Sequence, residues 1–146
     1  MSNQQQTALS GRAIGLAIVG IFLTALSATS PAAAEIPWKN SPEAALNAAR
    51  SEGKPILVFV TAEWCHYCKK MKKDTWSDRT ASSVVAANFQ TLMLDGDRDK
   101  AVVKKLGLNG YPATLIYTPD GEFVTQKSGY MSPQQTLAWL ASIAPR

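Results

Sequence analysis

The chain is 146 residues long, 46% hydrophobic and 18% charged, which suits one globular domain and leaves little room for two. Its formal net charge of +4 is dispersed, with no arginine-rich block and no alternation of aromatic and basic residues, so nucleic acid is not indicated as a partner. Lys69, Lys70, Lys72 and Lys73 come nearest to a basic patch and read as a solvated helix face, with charge that suits a helix C-terminus.

Met1 to Gly11 contain no acid and no base; Arg12 then precedes an apolar run from Ala13 to Ala28. Thr29-Ser-Pro-Ala-Ala-Ala34 follows, with alanines placed for a cut after Ala34. Positive flank, apolar core and small residues are the layout of a secretory signal peptide over residues 1–34. The 16-residue run is short for a membrane span of about 20 residues, and an uncleaved N-terminal anchor is the alternative reading. Membrane contact is expected only in that case. Residues 35–146 are expected in either case to form one exported domain, periplasmic or otherwise extracytoplasmic.

Glu35 to Trp38 has room for a short edge strand at most. Ser41-Pro42-Glu43 is a helix start, with serine at the N-cap and proline at the first helical position, and Gly53 is its natural stop. Pro55 to Val60 is apolar throughout, as in a central strand covered on both faces. A helix carrying Cys68, Met71 and Thr75 on one stripe is expected next, interrupted over Asp74–Asp78. Asp78 or Thr80 would cap a further helix with Val84, Val85 and Phe89. Thr91–Leu94 reads as a second buried strand, Asp95-Gly96-Asp97 as a loop, and Lys100–Leu106 as a short helix ended by Gly107. After a break at Leu108–Pro112, strand Ala113–Tyr117 turns at Thr118-Pro-Asp-Gly121 into a partner strand, Glu122–Gln126, with Phe123 and Thr125 on one face. Ser132-Pro133 opens a last helix whose expected buried stripe is Leu137, Leu140 and Ile143. Three successive strand–helix units predict a parallel portion, and the hairpin an antiparallel edge.

Trp64-Cys65-His66-Tyr67-Cys68 holds both cysteines and the only histidine, between the apolar strand and the lysine-rich helix. A strand that delivers two thiols to a helix start favours sulfur redox chemistry. Cysteines three positions apart close too short a loop to act as a staple, although export permits a disulfide. A static disulfide and a metal site are the rival readings. A metal would need ligands beyond Cys65, Cys68 and His66, and no second cysteine pair exists. Covalent haem attachment would need histidine where Lys69 stands. No cofactor is expected.

With Gly53-Lys-Pro-Ile-Leu-Val, Ala62-Glu-Trp-Cys65, Cys68-Lys69, Thr75-Trp-Ser-Asp78 and Gly110-Tyr-Pro-Ala-Thr114 in place, nearly all of residues 36–146 resembles the thioredoxin-fold family. Within it, the chain is most similar to small exported thioredoxin-like proteins and to the periplasmic C-terminal domain of DsbD-type transmembrane reductases. The resemblance implies an α/β thioredoxin fold with a single mixed sheet flanked by helices. It implies that Pro112 is cis and faces the cysteine pair, with the Tyr111 main chain offered to an extended substrate. Cys65 would attack a partner disulfide and Cys68 would resolve the mixed disulfide. Trp64 would cover the site and shape the substrate groove, His66 and Tyr67 would tune the potential, and Glu63 would serve either as a proton shuttle or as a solvated surface acid. Many relatives carry a buried aspartate six residues before the first cysteine; here Phe59 stands there, so resolution would depend on water, Glu63 or His66. The readings that follow are a monomeric exported oxidoreductase that exchanges disulfides with partner proteins, most readily as a reductase fed by a membrane thiol donor; an oxidase or isomerase of the same chemistry; or a redox-inert peptide-binding module.

Overall fold

The computed structural model describes residues 35–143; the expected signal peptide over 1–34 lies outside them. Ser41 caps helix α1 (Pro42–Glu52), its hydroxyl accepting the Ala44 N–H at 3.2 Å, and Gly53 ends the helix at φ 65°. Strand β1 (Ile56–Thr61) is buried along its whole length, as its unbroken apolar run requires. Helix α2 (His66–Asp74) follows the cysteine turn. Asp78 then caps α3 (Arg79–Asn88), accepting the N–H groups of Thr80 and Ala81 at 3.0 and 2.9 Å. Strand β2 (Gln90–Asp95), helix α4 (Lys100–Lys105), strands β3 (Ala113–Tyr117) and β4 (Phe123–Ser128), and helix α5 (Pro133–Ile143) complete the order.

The four strands make one mixed sheet in the order β2-β1-β3-β4. β1 runs parallel to β2, with Ile56 beside Gln90 and Thr61 beside Asp95, and antiparallel to β3, with Val60 beside Ala113. β4 pairs antiparallel with β3 and is exposed except at Thr125, Phe123 meeting Tyr117 edge-on at 5.7 Å between ring centres.

The three expected strand–helix units therefore reduce to one parallel pair among the described residues. The six residues of α4 span roughly 9 Å, about half the roughly 20 Å of a six-residue strand. The remaining connection, residues 107–112, packs Tyr111 against the cysteines instead of running back along the sheet, so β3 starts at the cysteine end. Glu35–Trp38 forms no strand either; a single bridge from Lys39 to Leu92 is all that pairs there.

Alternation along β1 sorts the core into two layers. Leu57 and Phe59 pack with Met71, Val85 and Trp139, beneath α2, α3 and α5. Ile56, Val58 and Val60 pack with Ala45, Ala49 and Val103, beneath α1 and α4. On α5 the buried positions are Thr136, Trp139 and Leu140, while Leu137 and Ile143 lie at the margin. That corrects the expected stripe: the helix is rotated so that the large indole of Trp139 enters the core.

Candidate active site

β1 brings the chain to the cysteines, and a turn closed by the Cys65 N–H donating to the Ala62 carbonyl at 3.1 Å starts α2. Cys65 is the N-cap of that helix, and its Sγ accepts the Cys68 backbone N–H at 3.1 Å. The two cysteines form a disulfide, their α-carbons 5.2 Å apart. Cys65 is 5% exposed and Cys68 0%, so Cys65 is the sulfur a partner can reach. The first turn of α2 holds no acidic residue. Once the disulfide opens, the helix dipole and the donated N–H both favour a thiolate on Cys65.

The opposite wall is the Tyr111–Pro112 segment, whose peptide bond is cis, as the resemblance implies. Pro112 is fully buried, and the half-buried Tyr111 packs against Ala62, Cys65 and Cys68. Trp64 is 69% exposed and meets the Tyr111 ring edge-on at 5.8 Å, so it belongs to the rim and not to the core. Tyr67 is 59% exposed with the exposed His66 ring 5.6 Å from it, and Glu63 is also exposed. An aromatic rim of Trp64, Tyr67 and Tyr111 thus surrounds a sulfur pair. Beneath it, Phe59 is fully buried against Trp38 at 6.0 Å and Trp76 at 5.5 Å, and supplies no acid. Among the described residues, no group of three or more His, Cys, Asp and Glu side chains could hold a metal ion.

Two contributors escape a reading of the sequence. Gly96 looks like turn punctuation, yet its N–H donates to the Thr61 carbonyl at 2.7 Å, and a Cβ built on it would collide with the Tyr111 phenol ring. Gly96→Ala is expected to displace that ring and to cost about 1–3 kcal/mol, the usual toll of overpacking. A thermal melt checks this, and an unchanged midpoint would show that the Tyr111 ring moves aside freely.

Tyr130 is the second. Its hydroxyl donates to Asp74 at 3.2 Å, while Lys70 pairs with the same carboxylate and lies 4.8 Å from the Tyr130 ring centre. The hydrogen bond from Lys70 holds the Asp74 carboxyl below the usual carboxylate range. Thr75 Oγ1 donates to the Met131 carbonyl at 2.6 Å, and the Gly129 N–H donates to the Pro112 carbonyl at 2.8 Å. The last turn of α2 is therefore bonded to the segment between β4 and α5, which is itself bonded to Pro112.

The family described as a thioredoxin-like domain matches residues 42–144. The chain is 30% identical over 112 residues to the thiol:disulfide interchange protein DsbD of Yersinia pestis, an alignment covering 71% of this chain and 18% of that protein. It spans less than a fifth of the length of the curated relatives it matches, 13% and 18% in two of them. Among solved structures it is similar to a thioredoxin from Thermus thermophilus, with a TM-score of 0.68, 24% identity and coverage of 75% of this chain and 88% of that one. It is also similar to the oxidised C-terminal domain of Neisseria meningitidis DsbD, with a TM-score of 0.59, 20% identity and coverage of 72% and 97%. Fold, cysteine placement and family match agree: the chain belongs to the thioredoxin-like domain family.

Proposed function

We propose that this chain is an exported thiol–disulfide oxidoreductase that reduces disulfides in partner proteins with electrons from a membrane thiol donor. The observation that carries the reading is the Cys65 sulfur at the start of α2, accepting the Cys68 N–H and more exposed than its partner. In the reduced protein the Cys65 thiolate attacks a partner disulfide; one partner sulfur leaves as thiolate and a mixed disulfide forms. Cys68 then gives up its proton and attacks the Cys65 sulfur, the second partner sulfur departs, and the Cys65–Cys68 disulfide closes. The partner gains two electrons and the chain loses two, which a donor dithiol restores.

An extended partner segment would lie along the Tyr111 main chain beside Pro112, with Trp64 and Tyr67 as its apolar grip and His66 setting the charge next to Cys65. The exposure of Glu63 supports a part in exchanging protons with solvent. The same reading takes the chain to act as a monomer. The signal-peptide pattern of residues 1–34 supports an extracytoplasmic location, and the similarity to DsbD supports a membrane donor. Phe59 favours a second reading, an oxidase or isomerase, because losing a buried proton acceptor slows the Cys68 attack that a reductase needs.

Insulin reduction with dithiothreitol is the test, and turnover above the uncatalysed rate is expected. No turnover would leave the redox-inert peptide-binding module. The potential of the Cys65–Cys68 couple gives the direction: about −270 mV, as in thioredoxin, for a reductase, and about −120 mV for an oxidase.

A further inference from the structure

Cys68 is 0% exposed, so its ionisation during resolution puts charge on a buried sulfur. Phe59 offers no carboxylate, and Glu63 and His66 are both on the exposed side of the site. Four buried side-chain polar atoms find no hydrogen-bond partner among the described residues: the hydroxyls of Thr61, Thr114 and Thr136, and the Trp76 indole nitrogen. Native interiors leave few such groups, and each one calls for a reason.

Two of the four stand on the sheet at its cysteine end. Thr61, 2% exposed, is the last residue of β1, and by alternation it shares the face that Leu57 and Phe59 turn toward α2. The buried positions of α2 are Cys68 and Met71, and Met71 packs in the same layer as Phe59. Thr114, 0% exposed, is the residue directly across from Phe59 and lies two positions beyond Pro112. Thr61 and Thr114 are therefore diagonal neighbours on one face, roughly 7–8 Å apart. They flank the position that an acid occupies in many relatives. A threonine hydroxyl can donate to an anion or accept from a thiol, so it serves either protonation state of a sulfur.

We propose that the Thr61 and Thr114 hydroxyls stabilise the Cys68 sulfur as its proton leaves, acting as neutral donors in place of a buried carboxylate. The step balances without a further reagent. The Cys68 S–H bond breaks and its proton passes to solvent water; the Cys68–Cys65 bond forms as the bond from Cys65 to the partner breaks. The partner sulfur leaves with the electron pair. This inference rests on the oxidoreductase reading and gives that site its missing proton chemistry.

The test uses the reduced full chain and one equivalent of dithiobis(nitrobenzoate), a chromogenic aromatic disulfide. Attack by Cys65 releases the first coloured thiolate and resolution by Cys68 releases the second, so stopped-flow absorbance separates the steps. In Thr61→Val with Thr114→Val, the first release is expected to stay at the wild-type rate. The second is expected to slow about tenfold near neutral pH, with its pH midpoint raised by about one unit, the shift that corresponds to a factor of ten. Serine at both positions should restore the rate and the midpoint. Each single valine variant should show a smaller change of the same sign, with the first release reporting an intact site should the double variant fold poorly. A second release that is unchanged, or slowed equally at every pH, would overturn the proposal. A wild-type protein that gives no first release would overturn the oxidoreductase reading, and this inference with it.

Discussion

Cys68→Ser is expected to accumulate a stable mixed disulfide with a partner or a disulfide peptide, whereas Cys65→Ser should form none. The asymmetry follows from position. Cys65 is the N-cap of α2, accepts a backbone N–H and is reachable, while Cys68 is one turn inward and sealed. With serine at 68 the first exchange still occurs, because the attacking sulfur and its helix terminus are intact. The adduct then persists, because a serine hydroxyl cannot displace the partner sulfur. With serine at 65 the buried Cys68 thiol has neither access nor the helix terminus to favour its ionised form. Turnover should fall to the uncatalysed level in both variants. Intact-mass measurement under non-reducing conditions reads the adduct directly, and an adduct on Cys65→Ser instead would reverse the assigned roles.

Phe59→Ala is expected to cost about 3–5 kcal/mol, the range for removing a large aromatic from a core that cannot collapse. Phe59 is fully buried in the middle of the central strand and meets Trp76 edge-on at 5.5 Å and Trp38 at 6.0 Å. Trp38 and Trp76 also meet each other edge-on at 5.6 Å, so the three rings share one cluster. Deleting the middle member removes two aromatic contacts as well as apolar burial. The loss is large against a total stability of about 5–15 kcal/mol. Urea unfolding checks it, with the midpoint falling and the slope unchanged. A cost below about 1 kcal/mol would mean that Trp38 and Trp76 close the gap.

The parts of this protein legible in its sequence are those set by neighbours along the chain. Ser41, Pro42 and Gly53 bound α1, Asp78 caps α3, and the apolar run into Trp64–Cys68 places both sulfurs at a helix start. The direction of β3 was not legible, because it depends on where the connection after α4 leaves the chain: Tyr111 packs against the cysteines, so β3 starts at their end of the sheet. Neither was the rotation of α5, where Trp139 competes with Leu137 and Ile143 for the interior. Gly96 and Tyr130 matter through residues distant in sequence: Tyr130 reaches Asp74 across 56 positions. No local pattern encodes such a pair. Trp64 shows the opposite difficulty, since an aromatic beside a strand end suits a core as well as a rim, and only its contact with Tyr111 decides.

The bonds around the cysteines close a ring. From Cys68 the path runs down α2 to Asp74 and Thr75, crosses to Tyr130 and Met131, passes Gly129 to Pro112, and returns through Tyr111 to the sulfurs. The two jaws of the groove are thus braced against each other like a hoop. The helix that carries Cys68 and the segment that carries Pro112 are therefore tied to each other directly, and not only through the sheet between them.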